Sequence, residues 1–169
     1  QRHKYLPTQF LYHAVPCAAG YQSLYARACS NGNAGGNHLE EAVLQGFLEL
    51  VERDAVALWW YNRLKKPGVV VESFDAPYLL DLQTHYKTLG REAWALDITS
   101  DLGIPAFVAL SRVNSGAQEH ILMGLGCHLD ARIALQRAFA EMNQMLGLAQ
   151  PTVIFTREVV MRTGILDPA

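Results

Sequence analysis

Apolar and polar positions divide this chain into helix-like and strand-like stretches separated by turn residues. From His38 to about Leu64 the spacing predicts one long helix, capped by Asn37 and stopped at Pro67-Gly68. A second helix is expected from Pro77 to Leu89 with Gly90 as its left-handed cap, and a third from an Asp130 cap to Leu146, with Gly147 behind it. Between the last two lie three β-rich segments, Ala93 to Ile98, Ile104 to Val113 and His120 to Leu125. Gly103 and Asn114-Ser115-Gly116 supply the turns between them. Gln9 to Ser30 reads as two short strands, and Val69 to Val71 and Thr152 to Phe155 as one each. Hairpin-length connections make the sheet mainly antiparallel, so the expected class is α+β with long helices packed on one face. The 169 residues suffice for a single domain.

On the first long helix Glu41, Gln45, Glu49 and Glu52 fall within an arc of roughly 80°. Leu39, Ala42, Val43, Gly46, Phe47 and Leu50 project on the other side and form the expected sheet-facing stripe. After Asp54 the helix turns apolar all round, through Ala55 to Tyr61, which predicts burial there and points Arg53 and Asp54 toward the apolar side. On the third helix Arg137, Glu141 and Gln144 share a face within about 60° of each other, opposite Ala134, Ala138 and Phe139. Each polar face fits either a solvated surface or a ligand site. Like charges at this spacing repel unless a cation lies among them, and no lysine follows at i+4. Two such faces across one cleft would offer oxygen ligands to Mg²⁺ and guanidinium forks to phosphate.

The segment Asn31 to Asn37 could present N–H groups to an anion or simply form a turn before the helix. It fits neither standard phosphate-loop pattern. Cys127 with His120 or His128 could pair as nucleophile and base, or pack. Asp97 and Asp101 read as turn residues rather than metal ligands.

Composition narrows the class further. Charged residues make up 18% of the chain and the formal net charge is −2, with no basic run beyond Lys65-Lys66, so nucleic acid is not an expected partner. Three widely spaced cysteines without C-x-x-C pairing fit a reducing cytoplasm, and no apolar stretch is long enough to span a membrane.

Three blocks in order resemble the YcaO family. The first is Ser30-Asn31-Gly32-Asn33-Ala34-Gly35-Gly36-Asn37 with Glu41-Ala42 and Gly46 to Ala55, which contains Glu49, Glu52 and Arg53. The second runs from Leu96 to Pro105, and the third from Ala134 to Gln144. The resemblance is greatest to cyclodehydratases that form azolines in ribosomally made peptides. It implies ATP and Mg²⁺ as cofactors, with Glu49 and Glu52 binding metal and nucleotide, Arg53 contacting phosphate, and Arg137, Glu141 and Gln144 in the same cleft. The catalytic groups stay unassigned. It further implies a precursor peptide substrate and a leader-binding partner protein. Family members carry an earlier glycine-lysine-glycine segment leading into another E-x-x-E-R helix, and a proline-rich C-terminus; the present sequence has neither. The chain is therefore expected to be an excised piece, residues 1–169 of a larger domain, inactive alone and prone to self-association. Competing expectations are a non-catalytic peptide- or subunit-docking module and an enzyme forming thioamides or amidines.

Overall fold

The computed structural model describes residues 3–6, 11–12, 29–115 and 118–148. Its elements are α1 (Leu39–Tyr61), a 3₁₀ turn (Val71–Phe74), α2 (Pro77–Thr88), β1 (Arg91–Asp97), β2 (Ala106–Ser115), β3 (Gln118–Cys127) and α3 (Ala131–Leu148). The strands form one antiparallel sheet in the order β1-β2-β3. The class is α+β, as the hairpin-length connections require. The strands expected over Gln9–Ser30, apart from Leu11, Tyr12, Cys29 and Ser30, and over Thr152–Phe155 lie outside the described residues.

Strand alternation builds two cores. Val108 pairs with Leu96 on one side and Leu125 on the other, and these face Leu48, Val51, Ala55 and Trp59 of α1. Ala109 pairs with Ala95 and Gly124, and that surface meets Leu79 and Tyr86 of α2 and Ala134, Leu135, Ala138, Phe139 and Met142 of α3. The antiparallel class stands, but the helices do not share a face: α1 covers one side and α2 with α3 the other. Both sides of the central strand are apolar, so both need a covering layer.

α3 lies directly on β3. A Cβ on Gly124 would collide with the backbone of Met142, and one on Gly126 with the Ala134 carbonyl. Glycine at these two positions lets the α3 backbone settle against the strand. Asp130 Oδ1 accepts from the Arg132 N–H at 2.8 Å at the start of α3, and the helix runs through Gly147 rather than ending before it.

The N-cap of α1 is His38, not Asn37: its Nδ1 accepts from the Glu41 N–H at 3.4 Å. The Glu41 carboxylate reaches back to the Asn37 N–H at 2.8 Å, a reciprocal exchange like a capping box. α1 ends at Tyr61, before the Pro67-Gly68 stop, where Arg63 adopts a φ of 54°. Gly68 makes one isolated bridge to Leu96, and Val71 opens the 3₁₀ turn, replacing the strand expected at Val69 to Val71. Pro77 starts α2, and Gly90 follows it at φ 67°. Asp97 Oδ1 accepts from the Thr99 N–H at 2.9 Å, the turn-shaping role read from its position.

The buried stripe of α1 differs from the expected one. Leu48, Val51, Ala55 and Trp59 are buried, whereas Leu39 (74%), Val43 (63%), Phe47 (48%) and Leu50 (51%) stay exposed. α1 carries two apolar stripes, and the one seated on the sheet adjoins the carboxylates instead of opposing them. Full burial of side chains such as Leu48 and Val51 contributes about 1.5–3 kcal/mol each. Asp54 is exposed, and beyond it Leu58 and Tyr61 also face outward, so the second half of α1 is fully buried along the Ala55–Trp59 line, with Val56 and Trp60 half-buried against the same core.

Candidate functional site

Because the buried and acidic stripes of α1 adjoin, its carboxylates turn toward α3 past the edge of β3. A cavity of about 420 Å³ opens there, lined by Glu49, Glu52, Arg53, Arg137, Glu141 and Gln144 together with Gln45, Ala34, Ala140, Leu125 and Cys127. All six site residues singled out from the sequence thus meet in one place. Glu41, on the same helical arc, is instead spent at the N-cap.

Two backbone groups of β3 bond to side chains of α3. Glu141 Oε2 accepts from the Leu125 N–H at 3.0 Å, and Arg137 Nη1 donates to the Cys127 carbonyl at 3.4 Å. The same Nη1 donates to Gln45 Oε1 at 2.9 Å, linking the two helices across 92 residues of sequence. Sequence reasoning placed Gln45 on the acidic face without a role in the site. Its i+4 spacing from Glu41 and Glu49 was the available signal, while the Leu125 N–H has no side-chain signal at all.

Arg53 sits between the two carboxylates, 3.6 Å from Glu49 and 3.4 Å from Glu52. Its Nε is buried without a hydrogen-bond partner among the described residues. An unpaired guanidinium N–H beside a cavity is costly unless an acceptor arrives there. Glu52 is 8% exposed, and burial pushes its carboxyl up from 4.5 to about 7. Arg53 pulls the other way, while the Glu141 and Glu49 carboxylates push it up further. A cation in the cavity would favour the ionised form.

Burial first, then the Glu52 carboxylate, holds the Cys127 thiol at about 11, so it is protonated at neutral pH. His128 directs its Nδ1 to the Asp130 N–H at 3.0 Å. Cys127 therefore packs in the cavity wall and is not poised as a nucleophile.

The donor set fits a metal nucleotide. Among the described residues no three His, Cys, Asp or Glu side chains form a cage for an ion. Mg²⁺ is commonly held by one or two carboxylates plus phosphate oxygens and water, which Glu49 and Glu52 with a polyphosphate would provide. Arg53 and Arg137 line the same cavity and would offer guanidinium donors to phosphate oxygens there. Neither a P-loop nor a dinucleotide fingerprint is present in the sequence.

An α+β layer whose sheet edge carries facing carboxylates and guanidiniums defines a class of protein suited to binding a metal-chelated polyanion. The chain belongs to the YcaO family, described as YcaO cyclodehydratase, ATP- and Mg²⁺-binding, whose profile matches residues 1–162. It is 33% identical over 140 residues to an uncharacterised protein of Methanothermobacter thermautotrophicus, a match covering 82% of this chain and 36% of that protein. Its fold superposes on the heterocyclase TruD with a TM-score of 0.83 and 47% identity, over 99% of this chain and 24% of TruD. It also resembles the YcaO protein of Methanopyrus kandleri bound with AMPPCP and Mg²⁺, with a TM-score of 0.59 and 25% identity over 85% of this chain and 40% of that one. The chain thus spans about a third of the curated relative and a quarter of TruD. No helix among the described residues is long and apolar enough to cross a membrane.

Proposed function

We propose that this chain forms one wall of the ATP–Mg²⁺ cleft of an enzyme that cyclodehydrates Cys, Ser or Thr residues of a ribosomally made peptide to azolines. One observation carries the reading: Glu49, Glu52, Arg53, Arg137, Glu141 and Gln144 converge on one cavity, beside an Arg53 Nε that has no partner among the described residues. Similarity to TruD favours ring formation over thioamide or amidine formation or mere docking.

In this reading Glu49 and Glu52 hold Mg²⁺, and Arg53 and Arg137 hold phosphate oxygens. Bound ATP would supply the phosphoryl group that turns the oxygen of the substrate carbonyl into a phosphate leaving group once the neighbouring thiol or hydroxyl has added to that carbon. The chain's own groups fix the orientation of the phosphates. Gln45 accepts from Arg137, and Arg53 offsets part of the repulsion between the two carboxylates. Fixed charges aimed at a transferring phosphoryl group lower the barrier without reorganising during the step. A precursor peptide is the substrate, with a leader-binding protein as partner.

The test uses the full-length protein with substrate peptide. ATP consumption should depend on the peptide and leave it lighter by one water. Joint Glu49→Ala and Glu52→Ala substitution should abolish Mg²⁺–ATP binding in calorimetry; unchanged binding would refute the site assignment.

A further inference from the structure

The turn-rich segment before α1 lends Ala34 to the cavity wall and also touches the carboxylates. Asn33 donates to the Ser30 carbonyl at 2.9 Å, closing a turn in which Gly32 adopts a φ of 82°. That turn aims the Gly32 N–H at Glu49 Oε2, at 3.2 Å. The opposite oxygen of Glu49 faces Arg53 at 3.6 Å. One carboxylate is thus held by a backbone donor on one side and a guanidinium on the other.

The turn reaches Glu49 because α1 lacks a side chain where the two meet. A Cβ on Gly46 would lie 2.6 Å from the Gly32 carbonyl oxygen, closer than a carbon and an oxygen can sit. Leu50 closes over Gly32 from the next turn of the helix: a Cβ on Gly32 would lie 3.1 Å from its Cγ. Glycine inside a helix is otherwise unfavourable relative to alanine, so Gly46 forgoes helix propensity for this contact.

We infer that Gly32 and Gly46 are positioning residues of the metal site: their close contact seats the Ser30–Asn33 turn so that the Gly32 N–H orients the Glu49 carboxylate toward the cation. The inference rests on the metal-ligand reading of Glu49. A methyl group at Gly46 pushes the turn away by about half an ångström or more. The Gly32–Glu49 bond lies at the long end of the hydrogen-bond range, so it does not survive that shift.

The test measures Mn²⁺ affinity by electron paramagnetic resonance in the presence of a non-hydrolysable ATP analogue, together with the melting temperature, on the full-length protein. Gly46→Ala should weaken Mn²⁺ binding about five- to tenfold at a temperature well below its melting transition, which the displaced turn lowers and the gain in helix propensity partly restores. Gly35→Ala is the control in the same loop, since a Cβ there meets nothing within 4 Å, and it should bind as wild type. In a Glu49→Gln background the Gly46→Ala penalty should vanish. Wild-type affinity in Gly46→Ala, or penalties that simply add, would overturn the inference.

Should Gly46→Ala fail to fold, amide hydrogen exchange decides without it. The Gly32 amide should exchange more slowly than that of Gly35, and lose this protection in Glu49→Gln; equal rates in both proteins would overturn the inference. If wild type binds no Mn²⁺–nucleotide, the proposed function fails, and the exchange experiment still tests the Gly32–Glu49 bond separately.

Discussion

Replacing Glu52 by Gln removes an ionisable group from a buried position while keeping its shape. The Glu52 carboxyl titrates near 7 in the folded chain, against an ordinary 4.5, chiefly because burial disfavours its charge. The native state therefore keeps a proton that the unfolded chain releases between pH 4.5 and about 7, and stability falls as pH rises through that window. A rise of that size corresponds to about 3 kcal/mol, present below pH 4.5 and lost above pH 7. The side chain is only 11% exposed, so solvent screening discounts this little. Urea denaturation of the ligand-free protein, followed by circular dichroism from pH 4.5 to 8, measures it. Wild type should lose about 3 kcal/mol more than Glu52→Gln across that interval, the shared titrations of other groups cancelling in the difference. Bound Mg²⁺–nucleotide should reverse the trend, because a cation favours the ionised carboxylate. Parallel pH profiles for the two proteins would show that Glu52 is solvated, and would remove the electrostatic basis for placing a cation beside it.

Two further outcomes follow from the packing and the cross-helix bond. Gly126→Ala drives a methyl group into the Ala134 carbonyl on α3 and should cost about 1–3 kcal/mol in urea denaturation, since neither backbone segment has room to retreat. Arg137→Ala removes the donor to Gln45 and the Cys127 carbonyl and should weaken nucleotide binding about tenfold or more in calorimetry, whereas the exposed Asp54→Ala should leave it unchanged.

Much of the fold was legible locally. Pro77, Gly90, Gly103 and Asp130 mark starts, stops and turns by their own backbone chemistry, and the apolar run Ala106 to Leu110 marks a strand. The same was true of the acidic and basic helix positions, because i+3 and i+4 spacing places Glu49, Glu52 and Arg53, or Arg137, Glu141 and Gln144, side by side on any helix. Yet α1 offered two apolar stripes of similar strength, and helical periodicity assigns neither to the sheet. Local spacing is enough to say which residues could form a carboxylate–guanidinium site. Long-range packing sets that the Leu48–Val51–Ala55–Trp59 stripe is buried, that helices cover both sheet faces, and that Gln45 meets Arg137. The reason is range: propensity and periodicity act over a few residues, whereas the cavity depends on glycine contacts and hydrogen bonds between segments far apart in the chain, which exist only once the layers have packed.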